Sequence, residues 1–382
     1  MSGNFSNNSR FPGTVTSPFD TLVRFLHLID RVPTLLMFTV LFLLALIPAR
    51  ADLGIAFALW LFFIGDSGLL VFLPRTRKSF GPAKPTLLAL ALGRLIFAIL
   101  PFPWNWIAQM VGTVLVVYGF WIEPHKIIVT RQSLASSKLT SALPPLRLLH
   151  LGDLHVERIT ARELQMIELA RALKPDAILF SGDFLNLSYI HDPTAWDHTR
   201  TILRQLSAPL GVFVVTGSPP VDKPEVIEKL LDGLDHLRWL KNERVTVEHY
   251  GESIDIVGVT CSHKPPIDDA ILDRVLQGDP DNFTVLLYHT PDLAPEAARR
   301  KIDLQLSGHT HGGQIRLPFF GALYTSSLYG KRFEAGRYAI NDFTLYVTRG
   351  IGMEGEGAPR VRFLCPPEII LWEISGERQQ TL

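Results

Sequence analysis

His309 and His311 stand one residue apart in Ser307-Gly308-His309-Thr310-His311-Gly312-Gly313-Gln314, with glycines on both sides. The same residue types recur upstream. Asp153 and His155 lie in Gly152-Asp153-Leu154-His155, Asp183 ends Ser181-Gly182-Asp183, and His289 ends Leu287-Tyr288-His289. Mixed carboxylates and imidazoles suit hard-to-borderline divalent cations such as Mn, Fe or Zn, and suit Ca poorly. If the chain is extended locally, a two-residue spacing projects both side chains of Asp153-x-His155 and of His309-x-His311 from one side. Gly308, Gly312 and Gly313 let the backbone turn tightly and leave room for an ion and its substrate. The chain has no G-x-S-x-G and no Cys-His pattern that would supply a side-chain nucleophile.

The elements that must hold these residues are readable around them. LRLLHL, from Leu146, reads as a strand that stops just before Asp153. TARELQMIELARAL follows, with Thr160 and Glu163 spaced as a capping box and Leu164, Ile167 and Ala170 at helical spacing. Lys174-Pro175-Asp176 breaks that helix, and AILFSGD is a second strand. GVFVVTG, IDIVGV, TVLLYH, IDLQLSGHTH, FTLYVTRG and PEIILWEI are further strands, with helical segments such as that in PEVIEKLLDGL between several of them. Strand and helix in alternation predict a layered α/β domain. Ligands gather at the carboxyl ends of strands in such sheets, which is where these six groups fall.

The 382 residues carry no net charge, so no bulk attraction to nucleic acid is expected. The ends differ, however. Residues 1–123 hold nine Lys and Arg against five Asp and Glu. They also contain four apolar runs, Pro33–Pro48, Leu53–Leu73, Thr86–Phe102 and Trp106–Ile122. The second has the roughly 20 residues that a membrane-crossing helix needs, and the others reach that length with their flanks. Trp104, Trp106 and Trp121 near the run ends fit an interfacial belt. The first run is not expected to be a signal peptide, because it starts late and three more follow. Basic residues cluster before the first run, between the second and third, and after the fourth, which places both termini in the cytoplasm. The expectation is a multi-pass plasma (inner) membrane protein with its chemistry on the cytoplasmic side. Residues 1–32 form a partly disordered N-terminal segment, 33–123 four transmembrane helices, and 124–382 the α/β domain. Asp66 and Arg94 fall at nearly the same depth of a helical hairpin, where a lone charge is costly, so they are expected to pair. Cys261 and Cys365 form no CxxC pair and read as reduced structural thiols.

In order and type, GDLH, SGD, LLYHTPD and SGHTHGGQ resemble the signature of the calcineurin-like metallophosphoesterase superfamily. GHTHGGQIRLPFFGAL, and RF followed by CPPEI, are similar to its membrane-anchored bacterial branch of phosphohydrolases and phosphodiesterases. The resemblance runs over residues 124 to 375. It implies a two-sheet α/β sandwich of the metallophosphoesterase type; the all-α bundle of four transmembrane helices expected before it, from the apolar runs, lies outside the resemblance. It further implies two divalent metal ions: one held by Asp153, His155 and His311, a second by His289 and His309, with Asp183 bridging. Asp183 and His309 are the catalytic positions so implied, and the nucleophile would be metal-activated hydroxide. One element departs from the family. Where Gly-Asn-His is expected, the chain reads Thr216-Gly217-Ser218-Pro219-Pro220. Ser218 then stands as substitute ligand, and Pro219 replaces a histidine with a residue that has no acid–base function. His191, His198 and His263 are loop histidines that could stand in for it.

The expected function is therefore hydrolysis of a phosphoester or pyrophosphate bond. The short link between the last apolar run and the first strand favours a lipid-linked substrate and a lipid bilayer as partner, with soluble phosphodiesters as rivals. The alternative is a metal-binding regulatory protein whose turnover went with the Gly-Asn-His element.

Overall fold

A computed structural model describes residues 18–277, 281–356 and 358–377 of the chain. It divides into a helical unit, which runs up to His125 and also takes in Glu354–Phe363, and a sheet-containing unit made of Lys126–Met353 and the stretch from Leu364 onward. The expected disorder of the first residues lies outside the described part.

In the helical unit α1 spans Pro18–Arg31, α2 Thr34–Ala45, α3 Leu53–Arg75, α4 Ala83–Ala98 and α5 Trp104–Val117. A π-turn at Tyr118–Ile122 and a 3-10 turn at Glu123–His125 extend α5. By length and composition two helices among the described residues can cross a membrane, Leu53–Arg75 and Trp104–His125. A third would require counting Phe25–Arg31 and Thr34–Ala45 as one span despite a bend of 105°. Of the four apolar runs expected to reach spanning length, two do so as helices by this measure. At about 1.5 Å per residue, α2 covers about 18 Å and α4 about 24 Å, against a hydrocarbon core of about 30 Å. Prolines explain the shortfall. Pro33 precedes α2 and Pro48 follows it, while Pro82 precedes α4 and Pro101 and Pro103 follow.

Asp66 and Arg94 do pair. Arg94 Nε and Nη2 donate to the two carboxylate oxygens of Asp66 at 2.6 and 2.7 Å. The remaining guanidinium donors reach the Gln109 carbonyl at 2.8 Å and the Thr113 hydroxyl at 3.0 Å, so α3, α4 and α5 share one buried polar cluster. Glu354–Phe363 is fastened within the same unit: Arg362 N donates to Gly119 O at 3.0 Å, and the Phe363 ring meets Tyr118 edge-on at 5.7 Å.

The second unit holds β1 (Ile128–Ser136), β2 (Leu146–Leu151), α6 (Ala161–Ala172), β3 (Ala177–Phe180), α7 (Pro193–Leu203), β4 (Val212–Val214), α8 (Pro224–Leu231), β5 (Leu237–Trp239), β6 (Glu243–His249), β7 (Glu252–Gly258), α9 (Pro265–Val275), β8 (Phe283–Leu287), α10 (Ala294–Ala297), β9 (Leu304–Ser307), β10 (Arg316–Leu317), β11 (Gly321–Ala322), β12 (Gly336–Ile340), β13 (Phe343–Val347) and β14 (Glu368–Gly376). One six-stranded sheet runs β1-β14-β2-β3-β4-β5 and another β12-β13-β9-β8-β7-β6. β2 to β5 are parallel, as are β7, β8, β9 and β13.

Alternation along the strands builds three apolar layers. Leu148, Leu179, Phe213 and Trp372 of the first sheet meet Ile256, Val285, Leu306 and Tyr346 of the second. Leu149, Phe180 and Val214 turn the other way, onto Met166, Ile202 and Ile227 of α6, α7 and α8. On the outer face of the second sheet Leu286 and Val347 pack with Leu272 of α9 and Ala297 of α10. Buried on both faces, these strands read as continuous apolar runs, which is why they were legible. The result is the α/β sandwich expected, with helices on both outer faces. The capping box of α6 is present: Thr160 accepts from Arg162 N, and Glu163 accepts from Thr160 N at 2.8 Å.

Candidate metal centre

Five parallel strands end at the same place. Asp153 lies two residues past β2, Asp183 three past β3, Ser218 four past β4, His289 two past β8 and His309 two past β9. The structure brings all six candidate donors together in two sets, Asp153 with His155 and His311, and Asp183 with His289 and His309. All six are buried, and the donor atoms of each set lie within 4.8 Å of one another. One oxygen links the sets: Asp183 Oδ2 is 3.4 Å from His155 Nε2 and 3.3 Å from His289 Nε2.

The backbone that achieves this is not extended. Asp153, His155, Asp183, His309 and His311 all have positive φ, between 43° and 71°. The spacing argument from an extended chain is therefore corrected: tight left-handed turns, unusual for residues with a Cβ, aim these side chains inward. His309 and His311 accordingly serve different sets. Glycine has a specific use at two positions. A Cβ on Gly308 would stand 2.4 Å from Asp153 Oδ2, and one on Gly217 would stand 2.1 Å from Asp183 Oδ1. Both glycines make room for a carboxylate.

The donor chemistry fits cations. His289 Nδ1 lies 2.8 Å from Ser181 O and, as its donor, leaves the lone pair of Nε2 facing Asp183 Oδ2. Two acceptors facing each other at 3.3 Å need a proton or a metal between them. Without a metal the proton serves: burial opposes charge on His289, but Asp183 overcomes it and raises the imidazole to about 9. Burial also works against the Asp183 charge, yet His289 and His155 hold its carboxyl well below the ordinary range. Burial pushes Asp153 up to about 6. The ion-pair partners of both aspartates are histidines. His155 Nε2 and His311 Nε2 meet at 3.0 Å in the first set.

Ser218 points into the second set. Its Oγ lies 3.1 Å from His289 Nε2, 3.2 Å from His309 Nδ1 and 3.3 Å from Asp183 Oδ2. Pro219 beside it is exposed. Of the three loop histidines only His263 reaches the centre, its ring 5.0 Å from that of His309. Burial and then the nearby His289 lower it to about 3. His191 is exposed, and His198 Nδ1 accepts from Ile159 N at 3.0 Å. The strand-end rule that found the other residues, applied to the end of β7, would have singled out His263.

Asp222 was not singled out from the sequence. Its carboxylate accepts from the backbone N–H of Gly217 and Asp183 at 2.7 Å each and of Phe184 at 3.2 Å. It thus locks together the loops that carry Ser218 and Asp183. Burial, then the charge of Asp183, pushes it up to about 7. No sequence pattern marks it, because its partners are backbone groups that only the fold assembles.

A family model described as calcineurin-like phosphoesterase matches residues 146–313. The uncharacterized metallophosphoesterase YkuE of Bacillus subtilis (strain 168) is 30% identical over 277 residues, which cover 68% of this chain and 89% of that protein. Phosphodiesterase YaeI of Escherichia coli (strain K12) is 28% identical over 266 residues, covering 67% and 92%. UDP-2,3-diacylglucosamine pyrophosphatase LpxG of Chlamydia trachomatis serovar D is 25% identical over 316 residues, covering 67% and 91%.

Proposed function

The chain belongs to the calcineurin-like metallophosphoesterase family, whose members are hydrolases acting on ester bonds, and from that premise we propose a membrane-anchored enzyme that cleaves a phosphoester or pyrophosphate bond of a lipid-linked substrate. The observation that carries the reading is the convergence of six buried donors into two sets that share Asp183 Oδ2. In this proposal Asp153, His155 and His311 would hold one divalent cation and His289 and His309 a second, with Asp183 serving both. Ser218 offers its hydroxyl in place of an amide oxygen. The donor set suits Mn, Fe or Zn. Such a pair of ions, when bound, supplies a nucleophile from water near neutral pH and neutralises charge growing on the phosphoryl oxygens. Asp222 keeps the loops of Asp183 and Ser218 in register, and His289 is oriented by the Ser181 carbonyl.

The substrate class rests on two supports. One relative is named for a nucleotide-linked diacyl sugar. The chain itself carries helices long and apolar enough to cross a membrane. The proposal keeps residues 1–32 as an N-terminal segment, 33–123 as the membrane domain with α2 to α5 inserted, and 124–382 as the hydrolase. Positive charge between α3 and α4 (Arg75, Arg77, Lys78 and Lys84) favours a cytoplasmic site in a plasma (inner) membrane. A reporter fused after Leu382 should be active as a cytoplasmic reporter and silent as an exterior one; the reverse result removes the cytoplasmic assignment.

The test is hydrolysis of an aryl phosphodiester, and of a diacylated nucleotide sugar, by the purified full chain with added Mn. Turnover of both, with the lipid preferred, is expected. Turnover of the soluble ester alone rejects the lipid substrate. Metal binding without turnover of either would favour a non-catalytic binding protein, the reading that Pro219 in place of a histidine suggests.

A further inference from the structure

The chain that follows His309 and His311 forms a short hairpin. β10 and β11 pair antiparallel, Arg316 with Ala322 and Leu317 with Gly321, around the turn Pro318-Phe319-Phe320. Its tip is apolar and open to solvent. Phe319 is wholly exposed, Phe320 is 56% exposed and Tyr324 65%, and Leu317 and Leu323 stand out beside them. Elsewhere in this unit the described large apolar side chains with comparable exposure are scattered singly, as Leu164, Tyr250, Ile267 and Leu364 are. Single exposed apolar residues are ordinary, whereas five gathered on one hairpin need an explanation.

The hairpin is held firmly. Glu334 accepts from Arg316 Nη2 at 3.2 Å and from Ala322 N at 2.9 Å, and Arg316 Nη1 donates to Gly312 O at 3.1 Å. Phe319 sits at φ 64°, a conformation that bulky residues rarely adopt. The backbone is thus constrained so that a phenyl ring faces outward. The surroundings are cationic. From Ile315 to Gly336 there are three basic residues and one acidic, and Glu334, the acid, is spent on Arg316. Lys331 and Arg332 are exposed, and Lys331 Nζ lies 3.5 Å from the centre of the Phe320 ring.

We infer that this hairpin is an interfacial anchor that docks on anionic bilayer lipid, with Phe319, Phe320 and Tyr324 among the headgroups and Lys331 and Arg332 against lipid phosphates. Aromatic rings favour the water–lipid boundary, and basic side chains beside them draw the patch to anionic headgroups. The occupant is lipid because the patch pairs apolar rings with positive charge, and because the same chain carries two helices of membrane-spanning length. The inference relies on the membrane-anchored reading only for the presence of a bilayer. Its consequence is that the loop of His309 and His311, which Gly313 joins to the root of the hairpin, is tied to a lipid contact.

The test uses the full chain reconstituted in phosphatidylcholine vesicles with and without phosphatidylglycerol. An environment-sensitive fluorophore is placed at Phe319→Cys; Cys261 and Cys365 are buried and should not label. Tyr250→Cys, flanked by Glu248 and Glu252, is the control, and Tyr324→Cys is a second probe on the patch should the first variant misfold. Brominated lipid should quench the Phe319 label at least about twofold more than the Tyr250 label, more strongly with phosphatidylglycerol, and Lys331→Glu with Arg332→Glu should remove that gain. Equal quenching by aqueous iodide at both positions overturns the inference. So does quenching that follows protein concentration and not lipid, which would mean a second copy covers the patch. Metal chelation stops hydrolysis and leaves a lipid contact intact, so failure of the hydrolase reading and failure of the anchor are told apart.

Discussion

Asp66 in the helical unit and Asp183 in the sandwich are buried alike, at 1% and 2% exposure, yet they are balanced in different ways. Asp66 meets the guanidinium of Arg94 through two hydrogen bonds, and Gln109 and Thr113 take up donors that Arg94 has left. That set is closed, with a permanent cation built in. Among the described residues the ion-pair partners of Asp183 are titratable imidazoles, and its carboxylate also accepts from the backbone N–H and hydroxyl of Ser218. That set is open: it is complete only when protons or metal ions enter. A buried carboxylate balanced by arginine signals structure, and one balanced by converging histidines signals exchange with the solution.

The largest effect should come from the open set. Asp183→Ala removes the oxygen both donor sets share, so metal-dependent hydrolysis should fall on the order of 10³-fold, the loss of several kcal/mol of charge stabilisation. Elemental analysis should show most of the metal gone, and unchanged metal content would sink the assignment. The closed set should fail as a fold. Asp66→Leu leaves Arg94 buried alone and should cost about 3–5 kcal/mol, seen as a lower unfolding temperature in detergent. Adding Arg94→Leu should recover much of that loss; if it does not, the pair is more than a balance of charge.

Smaller effects sharpen the contrast within the centre. Asp222→Asn should weaken metal binding about 10–100-fold by titration calorimetry while the protein stays folded, since it loosens the loops behind Asp183 and Ser218. An unchanged affinity would make Asp222 a purely structural acid. The two sets should also differ from each other. Ser218 is a poorer donor than the amide it replaces, so the ion near His289 and His309 should leave first on dialysis, by about a tenfold weaker affinity or 1.4 kcal/mol. Two equally tight sites would contradict this, and Ser218→Asn should narrow the gap.

The sequence made the site more legible than its support. Asp153, Asp183, His289 and His309 could be found because each follows an apolar run, and the carboxyl end of a strand is where a sheet presents ligands. The left-handed backbones of Asp153, Asp183 and His309 could not be found, since aspartate and histidine adopt positive φ only in a minority of their positions. The central strands were visible as apolar runs, while β1, β5, β6, β12 and the hairpin of β10 and β11 were not. β1 has an alternating, partly exposed pattern and pairs with β14, a partner distant in sequence. β10 and β11 are two residues each, too short for a period. In the front part hydropathy marked four runs, but it weighs composition and passes over the prolines that stop α2 and α4.

The order of the strands β1-β14-β2, together with the place of Glu354–Phe363 in the helical unit, has a consequence for biosynthesis. As the chain leaves the ribosome, α1 to α5 are made first, but the segment that packs against Gly119 and Tyr118 arrives only after nearly the whole sandwich has emerged. β1 likewise waits for β14, the strand that fills the gap beside it, and until then its hydrogen-bonding edge is open to wrong partners. Both units are therefore completed by the same last stretch of polypeptide. A premature stop before Glu354 would leave a helical unit and a sandwich each short of a piece, two unfinished structures from a single truncation.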